Sequence, residues 1–341
     1  LETPFAPSYP FALPAQGACR DRFDQGQFDL VHIHTPFMAG RLGKTWALDC
    51  GLPLVGSFHT DYRRCLSQCG WPLKWGGPVA SWFVRSAFGS CSVNVVPSET
   101  AGTWLDRYGL MVPRRVIPNG APLPCPLDRT TLRRAFGWEE RDLVVLSVGR
   151  LAPEKNPETL ILAFAHVSSA CERATLVLLG DGPLRQTLDR LSRQLRLDGR
   201  VTFLGERQPA EASAACAAAD LFVLPSFNET QGLALTEAMS RRLPVVAVRG
   251  GAASDTFADG VEGYAVTPEP ASIASAISSL LQDASLRASM GRAAQARARS
   301  WTCHAHALAV EAAYFEVLGR GGSPRSLSVE EPADLLRSAK G

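Results

Sequence analysis

The sequence predicts an α/β fold with two domains, each built around a parallel sheet that carries helices on both faces. Short runs of β-branched residues alternate with longer stretches rich in Ala, Leu and Arg, which is the pattern of such sheets. The alternation occurs in two series, and a chain of 341 residues exceeds the size at which one hydrophobic core keeps growing. We therefore expect two doubly wound domains that face each other across a cleft.

The two series of candidate strands are unequal. The second supplies a full open sheet, whereas the first lacks the opening strand, loop and helix units that a doubly wound sheet needs. Because the chain also begins with Leu1 instead of Met, we expect an N-terminal truncation and an incomplete first domain. The candidate strands are Leu30–His34, Pro53–Phe58, Ser92–Pro97 and Arg115–Gly120 in the first series, and Asp142–Gly149, Ala174–Gly180, Arg200–Gly205, Asp220–Pro225 and Pro244–Val248 in the second.

Changes in composition mark the domain boundaries. A Pro-rich stretch followed by the short helical run TTLRRAFG predicts an interdomain linker. After the second series, Ala271–Leu318 is rich in Ala and Leu and predicts helices, and the Gly/Ser/Pro-rich tail predicts disorder. The predicted division is an incomplete first domain over 1–125, a linker over 126–141, a second domain over 142–300, a helix over 301–319 that returns to the first domain, and a disordered tail over 320–341.

The bulk composition excludes several classes of protein. The net charge of +2 predicts no nucleic-acid partner, and 46% hydrophobic with 20% charged residues is typical of a globular protein. No run of about eighteen apolar residues is present, and the first residues lack the features of a signal peptide. The nine cysteines lack the paired spacing of zinc sites. We expect a cytoplasmic protein whose cysteines do not form a zinc site.

The segment SFNETQGLALTEAMS, which follows the predicted strand DLFVLP, is the first candidate ligand site. Ligands of open parallel sheets bind beyond the carboxyl ends of the strands. A helix that begins near Gly232 would direct its free N–H groups and its dipole at an anionic diphosphate. Glu229 falls in the loop, and Glu237 lies in the helix, where a carboxylate can accept hydrogen bonds from both hydroxyls of a ribose. Glu237 alone could equally cap or solvate an ordinary helix, but the apolar run GLALT before it favours a ligand at a partly buried face.

The segment SVGRLAPEKNPETL is the second candidate ligand site. Arg150 and Lys155 bracket the loop after the first strand of the second series, ahead of a helix that begins near Pro157 with Asn156 as N-cap. Two cations at such a strand end can hold a pyrophosphate and neutralise the charge that it gains when it leaves. As surface charges alone they would be unremarkable, and their place at the strand end favours the functional interpretation.

Several ordered motifs resemble one family. They are GRLAPEKN, LLGDGPLR, VTFLGE, ADLFVLPS, the two glutamates in the E-x7-E spacing, and PNG at Pro118–Gly120. Together they resemble the retaining glycosyltransferases of the group 1 and family 4 type with the GT-B fold, from about Leu30 to Leu318. The resemblance implies two Rossmann-like domains, a hexose donated by a UDP- or GDP-sugar as co-substrate, no cofactor and no metal.

The resemblance also implies roles for named residues around the reacting sugar. Glu229 would bind the hydroxyls of the donor sugar, and Arg150 and Lys155 would bind the diphosphate. His59, in SFHTD, matches the histidine that the family places beside the reacting sugar, and Asp61 is a candidate to orient it. The other strand-end histidine of the first domain, His34 in HIHTP, could equally be structural.

Further donor contacts follow from the same resemblance. Glu237 would bind the ribose, and the backbone groups of Gly232 and Leu233 would join the diphosphate contacts. Glu206 and Arg207, in the loop after FLG, match the segment that borders the nucleobase, and they could equally be solvated loop charges. Since these donor contacts follow Leu143, we expect the truncated chain to bind nucleotide diphosphate but to transfer sugar poorly.

Two features concern the acceptor, which could be a lipid or a saccharide. The motifs ETQGL, VHIHTPF and FHT resemble members that glycosylate diacylglycerol or related membrane lipids. The segment Cys69–Arg85 interleaves aromatic and basic residues, a composition suited to peripheral contact with the inner face of a membrane. The same segment could instead be a helix packed in the core.

Other functions stay open. A dehydrogenase is disfavoured because no G-x-G-x-x-G motif follows a strand. A nucleotide-sugar epimerase shares the fold but not the combination of GRLAPEKN with E-x7-E. A non-catalytic remnant that binds a nucleotide sugar is the alternative outside catalysis.

Overall fold

The computed structural model describes residues 2–3, 6–10, 16–64, 73–121 and 128–319. Within these residues the strands form a six-stranded parallel sheet, a four-stranded parallel sheet and a two-stranded antiparallel pair of β1 (Glu2–Thr3) with β2 (Ala6–Pro10). The predicted α/β class with two parallel sheets is therefore confirmed.

The four-stranded sheet holds the first series of strands in sequence order. One face is covered by apolar residues of three helices and the other by the last helix of the chain, so the two central strands are buried on both faces. Its strands are β3 (Val31–Ile33), β4 (Leu54–Ser57), β5 (Val93–Val96) and β6 (Arg114–Val116), and the helices of this region are α1 (Gln16–Gln25), α2 (Met38–Asp49), α3 (Leu73–Phe88) and α4 (Glu99–Asp106).

The six-stranded sheet holds the second series. Its strand order is β12-β11-β10-β7-β8-β9, so the order reverses between β7 and β10 and leaves a crevice at their carboxyl ends. Its strands are β7 (Leu143–Val148), β8 (Ala174–Leu179), β9 (Val201–Gly205), β10 (Leu221–Leu224), β11 (Val245–Val248) and β12 (Gly263–Val266). The helices are α5 (Arg129–Phe136), α6 (Pro157–Ala170), α7 (Arg185–Gln194), α8 (Pro209–Ala218), α9 (Leu233–Ser240), α10 (Pro270–Gln282) and α11 (Ala284–Ala298).

Alternating side chains of the six-stranded sheet build two cores. Val145 and Val223 face one core, which includes Phe164 of α6, whereas Val144 and Phe222 face the other. All five of these side chains are almost fully buried, and burying each stabilises the fold by about 1.5–3 kcal/mol. This rigid sheet positions the loops that follow β7 and β10.

The last described helix, α12 (Cys303–Val317), packs on the first sheet. Ala313 and Tyr314 of α12 contact the face formed by Val55, Val93 and Val95. The chain therefore crosses from the second sheet back to the first after α11. The domain division itself stays a prediction, and the predicted tail over 320–341 lies outside the described residues.

The nine predicted strands are all present, within one or two residues at most ends. Strand β12 was not predicted, because GYAV contains only one β-branched residue. The predicted linker over 126–141 contains helix α5, which Asp128 caps by accepting a hydrogen bond from Thr131 N–H (2.8 Å) and which ends at Gly137.

Candidate active site

A cavity of about 700 Å³, here called the cleft cavity, lies beyond the carboxyl ends of β7 and β10. Residues from the loops that follow strands of both sheets line this cavity, so it lies in the cleft between the two domains. The lining residues that carry chemistry are His59, Asn119, Arg150, Lys155, Glu229, Thr230, Gln231 and His306, with Gly232, Leu233 and Ala234 at the start of α9.

Arg150 and Lys155 reach the cleft cavity from the loop after β7. The loop leads into α6, which begins at Pro157 as predicted, a position that needs no N–H donor. A hydrogen bond from Leu151 N–H to Asp181 O (2.9 Å) ties the loop to the end of the neighbouring strand. The backbone that carries Arg150 and Lys155 is therefore held in place at the end of β7.

The start of α9 supplies donors to the same cavity. Gly232 precedes the helix with φ 81°, a left-handed conformation that glycine adopts without strain. The N–H groups of Leu233 and Ala234 have no acceptor within the helix, since they lie in its first turn, and both residues line the cavity. The helix dipole adds positive potential at this point, so an anion would be stabilised here.

Lys155 and Glu229 form an ion pair in the cleft cavity, with 2.6 Å between Lys155 Nζ and Glu229 Oε1. The Glu229 side chain is 14% exposed and that of Lys155 is 33% exposed, so the pair is only partly screened by water. The lysine thereby fixes the direction of the carboxylate. Arg150 has no ion pair among those found in the described residues and keeps its charge available to a ligand.

Glu237 lies deeper along α9 and is not among the residues that line the cleft cavity. It shares a helix face with Leu233 and Ala234, which precede it by four and three positions and do line the cavity. Burial raises the pKa of the Glu237 carboxyl, and the nearby Arg241 opposes that shift. Because partial burial removes water from this carboxylate, hydrogen bonds from ligand hydroxyls would stabilise it.

Glu206 and Arg207 are exposed and do not line the cleft cavity. Arg207 Nη1 lies 3.2 Å from Oε1 of Glu211 in the first turn of α8, and Arg207 Nε donates to Leu204 O (3.1 Å). Glu206 and Arg207 are therefore exposed charged residues of a loop, which is one of the two interpretations that the sequence leaves open. Contact of the two residues with a nucleobase stays a prediction.

Three histidines of the first sheet form a cluster at its carboxyl edge. His34 Nδ1 and His59 Nε2 are 3.1 Å apart, and the His32 and His34 rings stack with 4.1 Å between their centroids. Desolvation and the neighbouring imidazoles lower the pKa of His32 to about 3 and also lower the pKa values of His34 and His59. All three rings are therefore neutral near pH 7. His59 lies in the cleft as predicted, with one nitrogen bonded to His34.

Asp61 does not orient His59, so that expectation is wrong. Asp61 Oδ1 accepts hydrogen bonds from Tyr108 OH (2.6 Å) and from Arg63 N–H (3.2 Å), and Arg64 Nε lies 3.7 Å from Asp61 Oδ2. The carboxylate is 7% exposed and turns into the core of the first domain. Its role is structural because a buried carboxylate needs such partners.

The loop that carries Glu229 is bonded to the first domain. Gln231 Oε1 accepts from Asn119 N–H (2.6 Å), and Gln231 Nε2 donates to Asn119 O (3.1 Å). Thr230 Oγ1 donates to His59 O (3.1 Å), and Ser98 Oγ donates to Thr230 O (2.7 Å). These contacts, here called the interdomain latch, hold the loop of Glu229 against the loops of the first domain that carry His59 and Asn119.

Sequence reasoning missed Gln231, Asn119 and His306 as cleft residues. The PNG motif contains Asn119, but the sequence alone assigns no function to that residue. An added Cβ at Gly120 would lie 2.5 Å from backbone atoms of Cys303, so this glycine allows the loop to pack against the start of α12. That approach brings His306 into the cleft, where its Nδ1 lies 2.9 Å from Pro118 O.

Helix α3 is buried on one side and exposed on the other, and the contact with a membrane that the sequence left open for Cys69–Arg85 stays a prediction. Val84 and Phe88 are buried in the core of the first domain. On the outside, four apolar side chains of α2, α3 and the preceding loop are between 40% and 57% exposed. This apolar patch consists of Phe37, Met38, Val79 and Trp82, and residues 69–72 of the segment lie outside the described residues.

The described residues contain neither a side-chain cluster that could hold a metal ion nor a helix that could span a membrane. No group of three or more His, Cys, Asp or Glu side chains there is arranged to hold a metal ion, and the absence of a metal requirement stays a prediction. Within the same residues, no helix is both long and apolar enough to span a bilayer.

Family models match both halves of the chain. The model described as Glycosyltransferase Family 4 matches residues 1–123, and the model described as Glycosyl transferases group 1 matches residues 128–297. The chain belongs to this family of glycosyltransferases. The family predicted from GRLAPEKN, the paired glutamates and PNG is therefore confirmed.

Solved structures confirm the GT-B fold. The structure of Anabaena Alr3699/HepE in complex with UDP-glucose has a TM-score of 0.76 and 25% identity, over 89% of this chain and 82% of that one. Sucrose-phosphate synthase from Thermosynechococcus elongatus has the same fold, with a TM-score of 0.76 at 21% identity, over 89% and 77% of the two chains.

Curated relatives include glycosyltransferases with different acceptors. Alpha-monoglucosyldiacylglycerol synthase of Streptococcus pneumoniae is 30% identical over 65% of this chain and 52% of its own length. D-inositol 3-phosphate glycosyltransferase of Nocardia farcinica is 31% identical over 83% of this chain and 66% of its own length. The chain thus spans between about half and two thirds of the length of these relatives.

Proposed function

We propose that the protein transfers a hexose from a UDP- or GDP-sugar to an acceptor hydroxyl of a membrane lipid such as diacylglycerol, with retention of anomeric configuration. The observation that carries the proposal is the cleft cavity, which brings Arg150, Lys155, Glu229 and the start of α9 together. A relative named for diacylglycerol and a structural neighbour solved with UDP-glucose support it.

The diphosphate would lie between the β7 loop and the start of α9. Negative charge grows on the leaving diphosphate as the glycosidic bond breaks. Arg150 and Lys155 supply positive charge on one side, and the N–H groups of Leu233 and Ala234 supply donors on the other. Interactions that strengthen as the charge grows accelerate the chemical step rather than binding alone.

The rest of the donor would extend along α9. Glu229 is held by Lys155 in a fixed direction, so it is suited to accept hydrogen bonds from sugar hydroxyls without reorganising. Glu237 would accept from the ribose hydroxyls. Glu206 and Arg207 would border the base if the loop after β9 moves toward it.

The neutral His59 would hydrogen-bond the donor sugar or the acceptor. In the transfer, the acceptor oxygen bonds to the anomeric carbon while the bond from that carbon to the phosphate oxygen breaks. The nucleoside diphosphate leaves, and the proton of the acceptor hydroxyl passes to it or to solvent. No other co-reactant is needed.

The apolar patch would rest on the membrane that holds the lipid acceptor. Arg41 lies over the Trp82 ring, with 5.8 Å from its Cζ to the ring centroid, so a cation stands beside the exposed aromatic as at an interface. Trp82→Ser should reduce co-sedimentation with anionic vesicles. Met111→Ser is the control, since Met111 is 97% exposed and is not part of the patch. Equal loss in both variants, or in neither, would contradict this contact.

A transfer assay tests the function. The protein is incubated with UDP-glucose or GDP-glucose and dioctanoylglycerol in mixed micelles. Mass spectrometry should detect a hexosyl lipid, and the NMR coupling of its anomeric proton should match the donor. Binding of nucleotide without any product would favour a non-catalytic remnant, and an epimerised donor would favour an epimerase.

A further inference from the structure

A second cavity, of about 470 Å³, adjoins the cleft cavity. The two share His59, Asn119 and His306, so a molecule in one lies against a molecule in the other. We call it the histidine pocket. It lies between the carboxyl edge of the first sheet and α12, and His32 and Tyr314 are among its walls.

The two cavities differ in charge. The cleft cavity contains Arg150 and Lys155, whereas no Lys or Arg of the described residues lines the histidine pocket. Glu311 on α12 is the acidic residue in its lining. Desolvation lowers the pKa values of His32, His34 and His59, so three of the four histidines in the lining are neutral near pH 7.

Glu311 also has an unused hydrogen-bonding atom. Its Oε2 is buried and has no hydrogen-bond partner among the described residues. A buried carboxylate oxygen without a partner is costly, and a hydroxyl from a ligand would satisfy it. The polar edge formed by Ser57 and Asn119 stands beside apolar walls of Val95 and Ile117, a combination suited to a short carbon backbone with hydroxyls.

We propose that the histidine pocket is the acceptor subsite, and that it selects an uncharged hydroxyl-bearing acceptor over one that carries a phosphate, with Glu311 as the selecting residue. This inference rests on the proposed transfer to an acceptor hydroxyl. A hydroxyl donates to Glu311 Oε2 and lies next to the donor cavity. A phosphate monoester would face a carboxylate, with no Lys or Arg in the described lining of this pocket to offset its desolvation.

The names of two relatives refer to an uncharged and to a phosphorylated molecule. One relative is named for diacylglycerol and the other for D-inositol 3-phosphate. The lining of the histidine pocket fits the uncharged class.

Two probes that differ only in a phosphate test the inference. They are dihexanoylglycerol and dihexanoyl phosphatidic acid, each titrated by calorimetry into the chain saturated with UDP. The wild type should bind the neutral probe at least about tenfold more tightly, the effect expected of one charge-assisted hydrogen bond. Equal affinity, or a preference for phosphatidic acid, would overturn the proposal.

Variants of Glu311 test whether its negative charge causes the preference for the uncharged acceptor. Glu311→Lys should reverse the preference by about tenfold or more in favour of phosphatidic acid. Glu311→Gln keeps the side-chain volume and should abolish the preference, which keeps the test valid if the lysine variant does not fold. Glu316→Lys is the matched control on the same helix, because Glu316 is exposed and pairs with Arg115 outside the pocket. Unchanged selection in both Glu311 variants would sink the assignment.

Binding of UDP separates this inference from the proposed function. The Glu311 variants should bind UDP as the wild type does, since Glu311 does not line the cleft cavity. Failure of UDP to bind the wild type would contradict the proposed function, whereas normal UDP binding with no lipid selection would contradict the acceptor subsite alone.

Discussion

Replacement of Gln231 by Met should uncouple donor binding from transfer. Gln231 is 3% exposed, and its amide pairs with both backbone groups of Asn119 at 2.6 and 3.1 Å. Met has a similar volume, so packing is kept while both hydrogen bonds are lost. At about 0.5–1.5 kcal/mol for each bond, the interdomain latch weakens by about 1–3 kcal/mol.

The latch fixes the loop of Glu229 to the first domain, so its loss should reduce kcat by about five- to 150-fold. The affinity for UDP should change little, because Arg150 and the start of α9 do not depend on Asn119. Steady-state kinetics and UDP calorimetry measure the two quantities separately. Gln282→Met, at an exposed position, is the control. A kcat for Gln231→Met equal to that of the control would refute the reasoning.

Four further outcomes follow from the site. Glu237→Ala should weaken UDP binding about tenfold or more, because a charge-assisted bond contributes about 1.5–3 kcal/mol, and calorimetry that shows unchanged affinity would contradict the ribose contact. Arg150→Ala and Lys155→Ala should each lower kcat more than they raise the Kd for UDP, since the diphosphate charge grows in the transition state; a change in Kd alone would argue against this. EDTA should leave the transfer rate unchanged, and restoration of a lost rate by Mg²⁺ would show a metal requirement. The pKa of His32 falls from 6.5 to about 3 on folding, so the unfolded chain binds more protons between these values, and stability that is present above pH 6.5 is lost as the pH falls toward 3. Melting temperatures should therefore fall more steeply with acid in the wild type than in His32→Gln, and parallel curves would contradict the shift.

Local sequence signals were sufficient for the fold and for the loops that carry Arg150, Lys155 and Glu229 into the cleft cavity. β-branched runs are buried on both faces of parallel sheets, so they stand out from amphipathic helices without knowledge of the tertiary structure. Arg150, Lys155 and Glu229 follow such runs directly, and the strand-end rule places them at one edge. The structure brings all three into the cleft cavity.

Contacts that depend on the packing of two domains could not be predicted in this way. Gln231 and Asn119 are 112 positions apart and meet only because the PNG loop faces the donor loop. His306 comes into the cleft because α12 returns to the first sheet. The pairing of Asp61 with His59 failed for the same reason, since Tyr108 reaches Asp61 from a distant helix end.

Hydrogen–deuterium exchange with and without UDP-glucose tests most directly that the cleft cavity binds the donor. We expect slower exchange at the backbone amides of Leu233 and Ala234 and in the loop from Arg150 to Lys155, because the diphosphate would accept hydrogen bonds from these groups or shield them. The control peptide is α5, which lies away from the cleft cavity and should not change. Protection confined to other segments, or saturating UDP-glucose without protection at the start of α9, would contradict the assignment of the donor site.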